Sequence, residues 1–217
     1  MALTISVAAH PLLEVGAFMQ RFARPLVELV VPASVLGLAS MDAKAPFACS
    51  DTVRAEVRQL LRHGGFKPSG RSKPASEYLH TAAAEQRFPR INAAVDTCNV
   101  VSLHSGLPIS LVDVDLLSGE LAIGIAPTGT TYIFNPSAQL IDVGGLVCMF
   151  DGLGPTGTPV KDAQRTKTHD GTRRVIAIVW GTNILPGRTA AVTAWYRQLV
   201  SQIPGTSIQD IELRTES

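Results

Sequence analysis

The densest polar stretch of the chain, residues 157–170, carries side chains that suit both anion binding and hydrolysis. Lysine and arginine can hold a phosphate or a carboxylate, whereas aspartate and threonine can orient a water molecule. The stretch lies between two predicted strands, where a rigid sheet can position functional groups. The candidate anion-binding residues are Lys161, Arg165 and Lys167, and the candidates for holding water are Asp162 and Thr166. The alternative interpretation is a charged loop exposed to solvent.

A second cluster of positive charge lies in a loop rich in glycine and proline at residues 64–75. Its cations can neutralise phosphates, while Phe66 and the following Tyr78 can stack on unpaired bases. This combination predicts weak, salt-sensitive binding of nucleic acid without readout of its sequence. A lid or a packing loop is the alternative interpretation. The cations are Lys67, Arg71 and Lys73.

Motifs for a dinucleotide site, a metal site and a serine hydrolase are either absent or lie in an unsuitable structural context. Residues 152–157 match the pattern G-x-G-x-x-G, but Pro155 and Pro159 interrupt the helix that a dinucleotide site requires, so a turn-rich loop is expected. The five histidines lack the spacing of metal ligands, and no cysteine lies close to them. No G-x-S-x-G motif is present for a serine hydrolase. The sequence therefore predicts neither a metal nor a cofactor.

The composition describes a globular chain with an ample hydrophobic core and little net charge. The chain has 217 residues, of which 46% are hydrophobic, and a formal net charge of +1. This balance argues against a surface that coats nucleic acid broadly, so DNA is not an expected partner. No apolar run is long enough to cross a membrane, no secretory signal pattern opens the chain, and the three cysteines lack C-x-x-C spacing. We expect a cytoplasmic protein with reduced thiols and no membrane partner.

The elements that must position these groups are predicted from periodicity and from turn residues. Residues 3–9 and 26–31 favour strands, whereas residues 13–22 fit either a strand or a helix. Helices are predicted at residues 52–63, 76–86 and 189–203. Short strands, punctuated by glycine, proline, asparagine and serine, are predicted at residues 109–114, 121–126, 131–134, 139–142, 146–150, 174–180 and 208–213.

A run of strands flanked by helices, rather than a strict alternation of the two, predicts an α+β fold. We expect one domain over residues 1–217. Its parts would be N-terminal strands at residues 1–48, helices with the basic loop at residues 49–89, and a sheet core with a C-terminal helix at residues 90–217.

Several spaced motifs between residues 90 and 180 resemble a known module. They are Arg90-Ile-Asn-Ala-Ala-Val-Asp-Thr-Cys-Asn99, Gly106-Leu-Pro-Ile-Ser110 with Asp113, and Asp170-Gly-Thr172. The series is similar to the B3/B4 module of the bacterial phenylalanyl-tRNA synthetase β subunit, and residues 60–78 resemble free-standing B3/B4-domain proteins. The resemblance implies a β-sandwich-type sheet core with flanking helices, including one over residues 92–103, and a pocket that edits mischarged tRNA.

The resemblance also implies a set of pocket residues, some of which depart from the family pattern. Ser110 stands where the synthetase has a pocket histidine, and Ile178 stands where its glutamate recognises a tyrosine hydroxyl. Loss of that buried polar partner argues against tyrosine as the rejected amino acid. We expect Asn99, Ser110 and Thr166 to contact a water molecule or the ester carbonyl. Substrate contacts around the same concavity are expected from Pro108, Lys161, Asp162 and Arg165.

The leading hypothesis is a trans-acting hydrolase that cuts a mischarged amino acid from its tRNA. Such an ester needs only a positioned water molecule and donors for the developing oxyanion. The expected partners are the acceptor end of an aminoacyl-tRNA, held by Lys67, Arg71 and Lys73, and a small amino-acid moiety. Two alternatives remain open. One is a non-catalytic module that binds tRNA or a protein, and the other is a small-molecule amino-acid binder or enzyme that reuses the pocket.

Overall fold

One mixed sheet of eight strands organises the chain in the computed structural model, which describes residues 3–216. Two further strands, β5 and β6 below, form a separate hairpin. The strands in chain order are β1 (Leu3–Val7), β2 (Leu13–Phe22), β3 (Ile109–Asp113), β4 (Leu121–Ile125), β5 (Thr131–Ile133), β6 (Leu140–Asp142), β7 (Val147–Asp151), β8 (Gly154–Gly157), β9 (Arg174–Thr182) and β10 (Thr206–Thr215). The helices are α1 (Ala33–Leu36), α2 (Asp51–Arg62), α3 (Ala75–Ala84), α4 (Ala93–Ser105) and α5 (Arg188–Val200).

The eight-stranded sheet curls until its two edges meet. Its order is β3-β9-β2-β10-β1-β4-β7-β8, with β1 parallel to both of its neighbours and every other pair antiparallel. At the edges, the Ser110 hydroxyl in β3 donates to the Thr158 carbonyl just after β8, at 3.0 Å. A Cβ added to Gly157 would lie 3.1 Å from the Ser110 Cβ, so glycine permits this close approach. The sheet is therefore a near-barrel with a seam between β3 and β8.

Strand β9 shows how the curled sheet separates two cores. Its side chains alternate between the two faces, as in any strand, and both faces are fully buried. Ile178 and Trp180 fill the interior of the curled sheet. Ala177 and Val179 pack in the larger core, which the helices share. Burial on both faces explains why this segment reads in the sequence as a continuous apolar strand.

Helix α4 carries the Arg90–Asn99 motif to the candidate site. The Asn92 side chain caps the helix by accepting the Val95 N–H at 3.0 Å. Just before it, the Arg90 guanidinium donates to the Asp96 carboxylate at 2.9 Å. The helix ends at Gly106, whose φ of 72° is a left-handed conformation that glycine adopts readily. The motif residues thus fix both the start and the end of this helix.

The α+β class and the single domain are confirmed, and three of the predicted elements agree closely with the structure. The helices expected at residues 52–63, 76–86 and 189–203 correspond to α2, α3 and α5 to within three residues at each end. Residues 13–22, which fitted either a strand or a helix, form β2. None of the helices within residues 3–216 has the length and hydrophobicity needed to span a bilayer.

Two predictions about extended segments are wrong. Residues 26–31 do not form a strand, because Leu26–Glu28 is a 3-10 turn and the following Val30 is 79% exposed. Proline on either side of this segment restricts it to a short irregular connection. The loop expected at residues 152–157 contains β8, because an edge strand tolerates the missing N–H of Pro155.

Candidate functional site

A mostly apolar pocket of about 370 Å³ lies between α3, α4, β3 and the segment after β8, and is called the apolar pocket below. Its size falls within the range of ligand sites in proteins. Its apolar walls include Leu79, Ile91, Val95, Ile109, Leu111 and Val160. The polar residues that reach it are Asn99, Asp162, Lys167 and Thr168. A few convergent polar groups in an apolar concavity are the usual composition of a small-molecule site.

Asp162 is held at this pocket by backbone hydrogen bonds across the seam of the sheet. Its Oδ1 accepts the Thr158 N–H and its Oδ2 accepts the Leu111 N–H, each at 3.1 Å. Although part of the residue reaches solvent, burial of the carboxyl group raises its pKa to about 6. The Ser110 hydroxyl, the two N–H donors and the nearby Lys167 act in the opposite direction. A carboxyl group with this pKa can accept a proton from water near neutral pH.

Lys167 brings a positive charge to the same pocket. Its ammonium group donates to the Phe134 carbonyl, and burial lowers its pKa while the Asp162 carboxylate opposes that shift. Asn99, on α4, contributes a side-chain amide that makes no hydrogen bond to any residue within 3–216. The pocket therefore presents a carboxylate, an ammonium group and an amide with no protein partner to whatever occupies it.

A larger and more polar cleft of about 710 Å³ adjoins the apolar pocket and is called the polar cleft below. Lys161 stands between the two, because its Nζ lies 4.1 Å from the ring centre of Phe134 and 5.9 Å from that of Tyr78. Phe134 lines the polar cleft, whereas Tyr78 lines the apolar pocket. The two concavities thus share one wall. The residues that line the polar cleft are Arg71, Ser72, Phe134, Gln139, Leu140, Ile141, Asp142 and Lys161.

The placement of Ser110 corrects the expectation that it contacts the ligand. Side chains alternate along β3, so Ile109 and Leu111 face the apolar pocket while Ser110 faces the interior of the curled sheet. There its hydroxyl accepts the Trp180 indole N–H at 2.8 Å and is fully buried. Ile178, which pairs with Ser110 across the sheet, is also fully buried inside. Neither residue lines either concavity, so Ile178 carries no information about the amino acid that the pocket accepts.

Three further predicted residues are placed away from both concavities. Thr166 is fully buried, and its hydroxyl lies 3.4 Å from the Thr156 and Ala163 carbonyls. Pro108 is buried, and its carbonyl accepts the Trp180 N–H at 3.0 Å. Arg165 is committed to a bidentate ion pair with Asp151. These expected contacts with water or substrate are therefore replaced by structural ones. Asn99 and Asp162 line the apolar pocket as expected, whereas Lys161 lines the adjoining polar cleft.

The basic loop does not act as one unit. Arg71 lines the polar cleft, whereas Lys67 lines a separate hollow that includes Arg62. Lys73 is half-buried and lines neither concavity. Phe66 is part of the larger core, so it cannot stack on a base as expected. Only one of the three predicted cations is therefore placed where the candidate ligand site lies.

Some residues at the site carry no distinctive signal in the sequence. Phe134 and Gln139 lie in the connection between β5 and β6, and Thr168 follows the short turn after Asp162. They come together only because the hairpin folds over the segment after β8, where the Tyr132 hydroxyl bonds the Thr158 hydroxyl at 3.1 Å. Within residues 3–216, no group of three or more histidine, cysteine, aspartate or glutamate side chains is placed to hold a metal ion.

Comparison with known proteins supports the fold. Neither models of protein families nor curated proteins match the sequence. Among solved structures, an N-terminal fragment of the phenylalanyl-tRNA synthetase β subunit from Pyrococcus horikoshii is similar, with a TM-score of 0.54 and 8% sequence identity. The similarity covers 99% of this chain and 52% of that fragment, so the chain spans about half of its length. At this identity the likeness shows a related fold.

Proposed function

We propose that the protein binds the aminoacylated 3′ end of a tRNA and hydrolyses its ester. The observation that carries the proposal is the shared wall between the two concavities. An apolar pocket with a carboxylate and an ammonium group lies directly beside a cleft with uncompensated positive charge. An aminoacyl-tRNA has matching parts, because an amino-acid side chain is joined through an ester to an anionic nucleic acid. The related fold of a synthetase fragment agrees with this proposal.

The apolar pocket suits an amino acid with an apolar side chain. Its walls are aliphatic for the most part, with Leu79, Ile109 and Val160 among them. A hydroxyl placed against such walls would lose its hydrogen bonds to water, which costs free energy unless a partner replaces them. The polar groups of the pocket would then face the ester rather than the side chain. Rejection would depend on size and hydrophobicity, which discriminate by only about 10- to 200-fold per methylene group.

The proposed reaction uses a water molecule as the nucleophile. The Asp162 carboxylate accepts a proton as the water oxygen bonds to the ester carbonyl carbon. The Lys167 ammonium group and the Asn99 amide donate to the carbonyl oxygen, on which negative charge develops. The bond to the ribose oxygen then breaks, and that oxygen takes the proton back from Asp162, which leaves a free hydroxyl and regenerates the carboxylate. The products are an amino acid and an uncharged tRNA.

A second candidate function is binding without catalysis, and one observation favours it. Both carboxylate oxygens of Asp162 already accept a backbone N–H, so the residue has a structural task in the seam. In this alternative, the same two concavities hold an aminoacyl-tRNA and protect its ester. Rates of ester loss separate the alternatives, because the hydrolase accelerates the loss and the binding module slows it.

The test is a panel of aminoacyl-tRNAs, correctly and incorrectly charged, mixed with the purified protein. We expect faster ester loss for tRNAs that carry small apolar amino acids, measured as release of the labelled amino acid. The Asp162→Ala variant, purified in the same way, controls for contaminating esterases and should release amino acid at the rate of the buffer alone. Ester loss that is equal in the two preparations, or absent from both, would contradict the hydrolase proposal.

A further inference from the structure

Two cations line the polar cleft, and neither of them is in an ion pair in the described part of the chain. Arg71 and Lys161 line it, and Lys167 lies close enough to act on the Lys161 charge. Within residues 3–216, neither Arg71 nor Lys161 has a carboxylate within 4.0 Å. Asp142 is the acidic residue of the lining, and its Oδ1 accepts the Gly144 N–H at 2.8 Å. With two cations and one carboxylate, the lining of the cleft keeps a net positive charge.

This concentration of charge carries an electrostatic cost. Burial lowers the pKa of Lys161, and the charges of Arg71 and Lys167 lower it further. An anion in the cleft would reverse this effect, because an opposite charge within a few ångströms favours the charged form of a lysine. The whole chain has a net charge of only +1, so attraction of an anion has to come from local groups of cations such as this one.

We infer that the polar cleft binds the phosphodiester backbone of the RNA next to the aminoacylated nucleotide, through Arg71 and Lys161. The inference rests on the proposed function and adds the subsite that recognises the nucleic acid. Lys161 belongs to the wall shared with the apolar pocket, so a phosphate at its ammonium group would lie next to the pocket that holds the ester. The arginine can bind a phosphate through two parallel N–H groups, and the lysine acts as a point charge.

The dimensions and the aromatic rings also fit a nucleotide chain. The volume of about 710 Å³ exceeds what one carboxylate or one inorganic phosphate needs. Tyr78, whose side chain is 38% exposed, offers a ring at the boundary on which a base can stack. Single-stranded nucleic acid is bound in other proteins by this combination of a positive groove and aromatic side chains.

The experiment compares two esters of the same amino acid, one on tRNA and one on adenosine, which has no phosphate. We expect Arg71→Ala and Lys161→Ala each to raise KM for the aminoacyl-tRNA by about tenfold, with kcat changed less than twofold. Both variants should cleave the adenosine ester as the parent protein does. The matched controls are Arg24→Ala and Lys44→Ala, which remove exposed cations outside both concavities and should leave every constant unchanged.

Salt dependence gives a second measurement. Two contacts to a single strand predict that the logarithm of the affinity for tRNA falls with the logarithm of the salt concentration at a slope of about −1.4. The double variant of Arg71 and Lys161 should show a slope near zero, because neither contact remains. Thermal unfolding of each variant verifies that it is folded. An unchanged slope, or an equal loss of activity toward the adenosine ester, would show that the cleft does not bind the RNA.

The phosphate subsite can be tested even if the protein has no hydrolase activity. If no ester is cleaved, the binding of uncharged tRNA to the parent and to the double variant still tests the cleft. Weaker binding by the double variant supports the phosphate subsite even in a protein without hydrolase activity. Equal binding by the two proteins, or binding of a polyglutamate peptide with no binding of tRNA, overturns it.

Discussion

The carboxylate of Asp162 accepts the backbone N–H of Leu111 at 3.1 Å, across the seam where the curled sheet closes. Its other oxygen accepts the N–H of Thr158, just beyond β8. One side chain thus links the two edge strands that share no ladder of backbone hydrogen bonds. Since the same side chain lines the apolar pocket, the seam and the proposed chemistry depend on a single ionisable group.

The stability of the protein should therefore depend on pH through Asp162. Burial raises the pKa of this group from an ordinary 3.8 to about 6, so between these values the folded state holds a proton that the unfolded state has lost. The gain in the free energy of unfolding from this proton is complete below pH 3.8 and disappears as pH rises through about 6. In urea unfolding, the free energy of unfolding of the parent should fall by about 1–2 kcal/mol relative to that of Asp162→Asn over this window, after allowance for the partial exposure of Asp162.

A control for this effect comes from the same pocket. The Asn99→Ala variant removes no titrating group, so its difference from the parent should stay constant from pH 4 to pH 7. A difference between the parent and Asp162→Asn that stays constant, or that changes in the opposite direction, would show that Asp162 is not the group that titrates.

Hydrolysis should have a bell-shaped pH dependence. The lower limb, in kcat/KM, follows the ionisation of Asp162 at about pH 6, because only the carboxylate can accept a proton from water. The upper limb should lie below the ordinary pKa of lysine, because burial lowers the pKa of Lys167. Lys167→Arg should shift the upper limb out of the accessible range, since arginine keeps its proton. Rates measured from pH 5 to pH 10, corrected for hydrolysis in buffer, test both limbs.

Much of the fold could be predicted because its signals are local. Helix α2 follows a serine that caps it, and the Val175 to Trp180 run is apolar because both faces of β9 are buried. The segment at residues 26–31 has the same apolar composition but lies outside any sheet. Composition alone cannot distinguish the two, because a strand also needs neighbours that complete its hydrogen bonds.

The site could be predicted only in part because it depends on long-range geometry. The family resemblance predicts Asn99, and the polar density of residues 157–170 predicts Lys161 and Asp162. The structure places Asn99 and Asp162 in the apolar pocket and Lys161 in the adjoining polar cleft. Which face of β3 carries Ser110 depends on register, and a shift of one residue reverses every side chain in a strand. Phe134 reaches the polar cleft because the β5–β6 hairpin folds over it, and no spacing in the sequence indicates this contact.

Ser110 should matter mainly for stability. Ser110→Ala removes the acceptor of the Trp180 indole N–H in a fully buried site, which should cost about 1–3 kcal/mol in the free energy of unfolding. The maximal rate per folded molecule should be unchanged, because the hydroxyl faces away from the pocket. The lower limb of the pH dependence should move to higher pH, because the Ser110 hydroxyl helps to lower the pKa of Asp162. The exposed Ser201→Ala is the matched control and should change none of these quantities. If Ser110→Ala lost hydrolysis while its free energy of unfolding stayed unchanged, Ser110 would have a catalytic role.

Asn99 should behave in the opposite way. Its side-chain amide makes no hydrogen bond to any residue within 3–216, so Asn99→Ala should change the free energy of unfolding by less than about 0.5 kcal/mol. Loss of one donor to the developing oxyanion should lower kcat by about 100-fold. Asn183→Ala is the matched control, because that amide donates to the Pro11 carbonyl and lies outside both concavities. Full activity in Asn99→Ala would leave Lys167 as the group that stabilises the oxyanion.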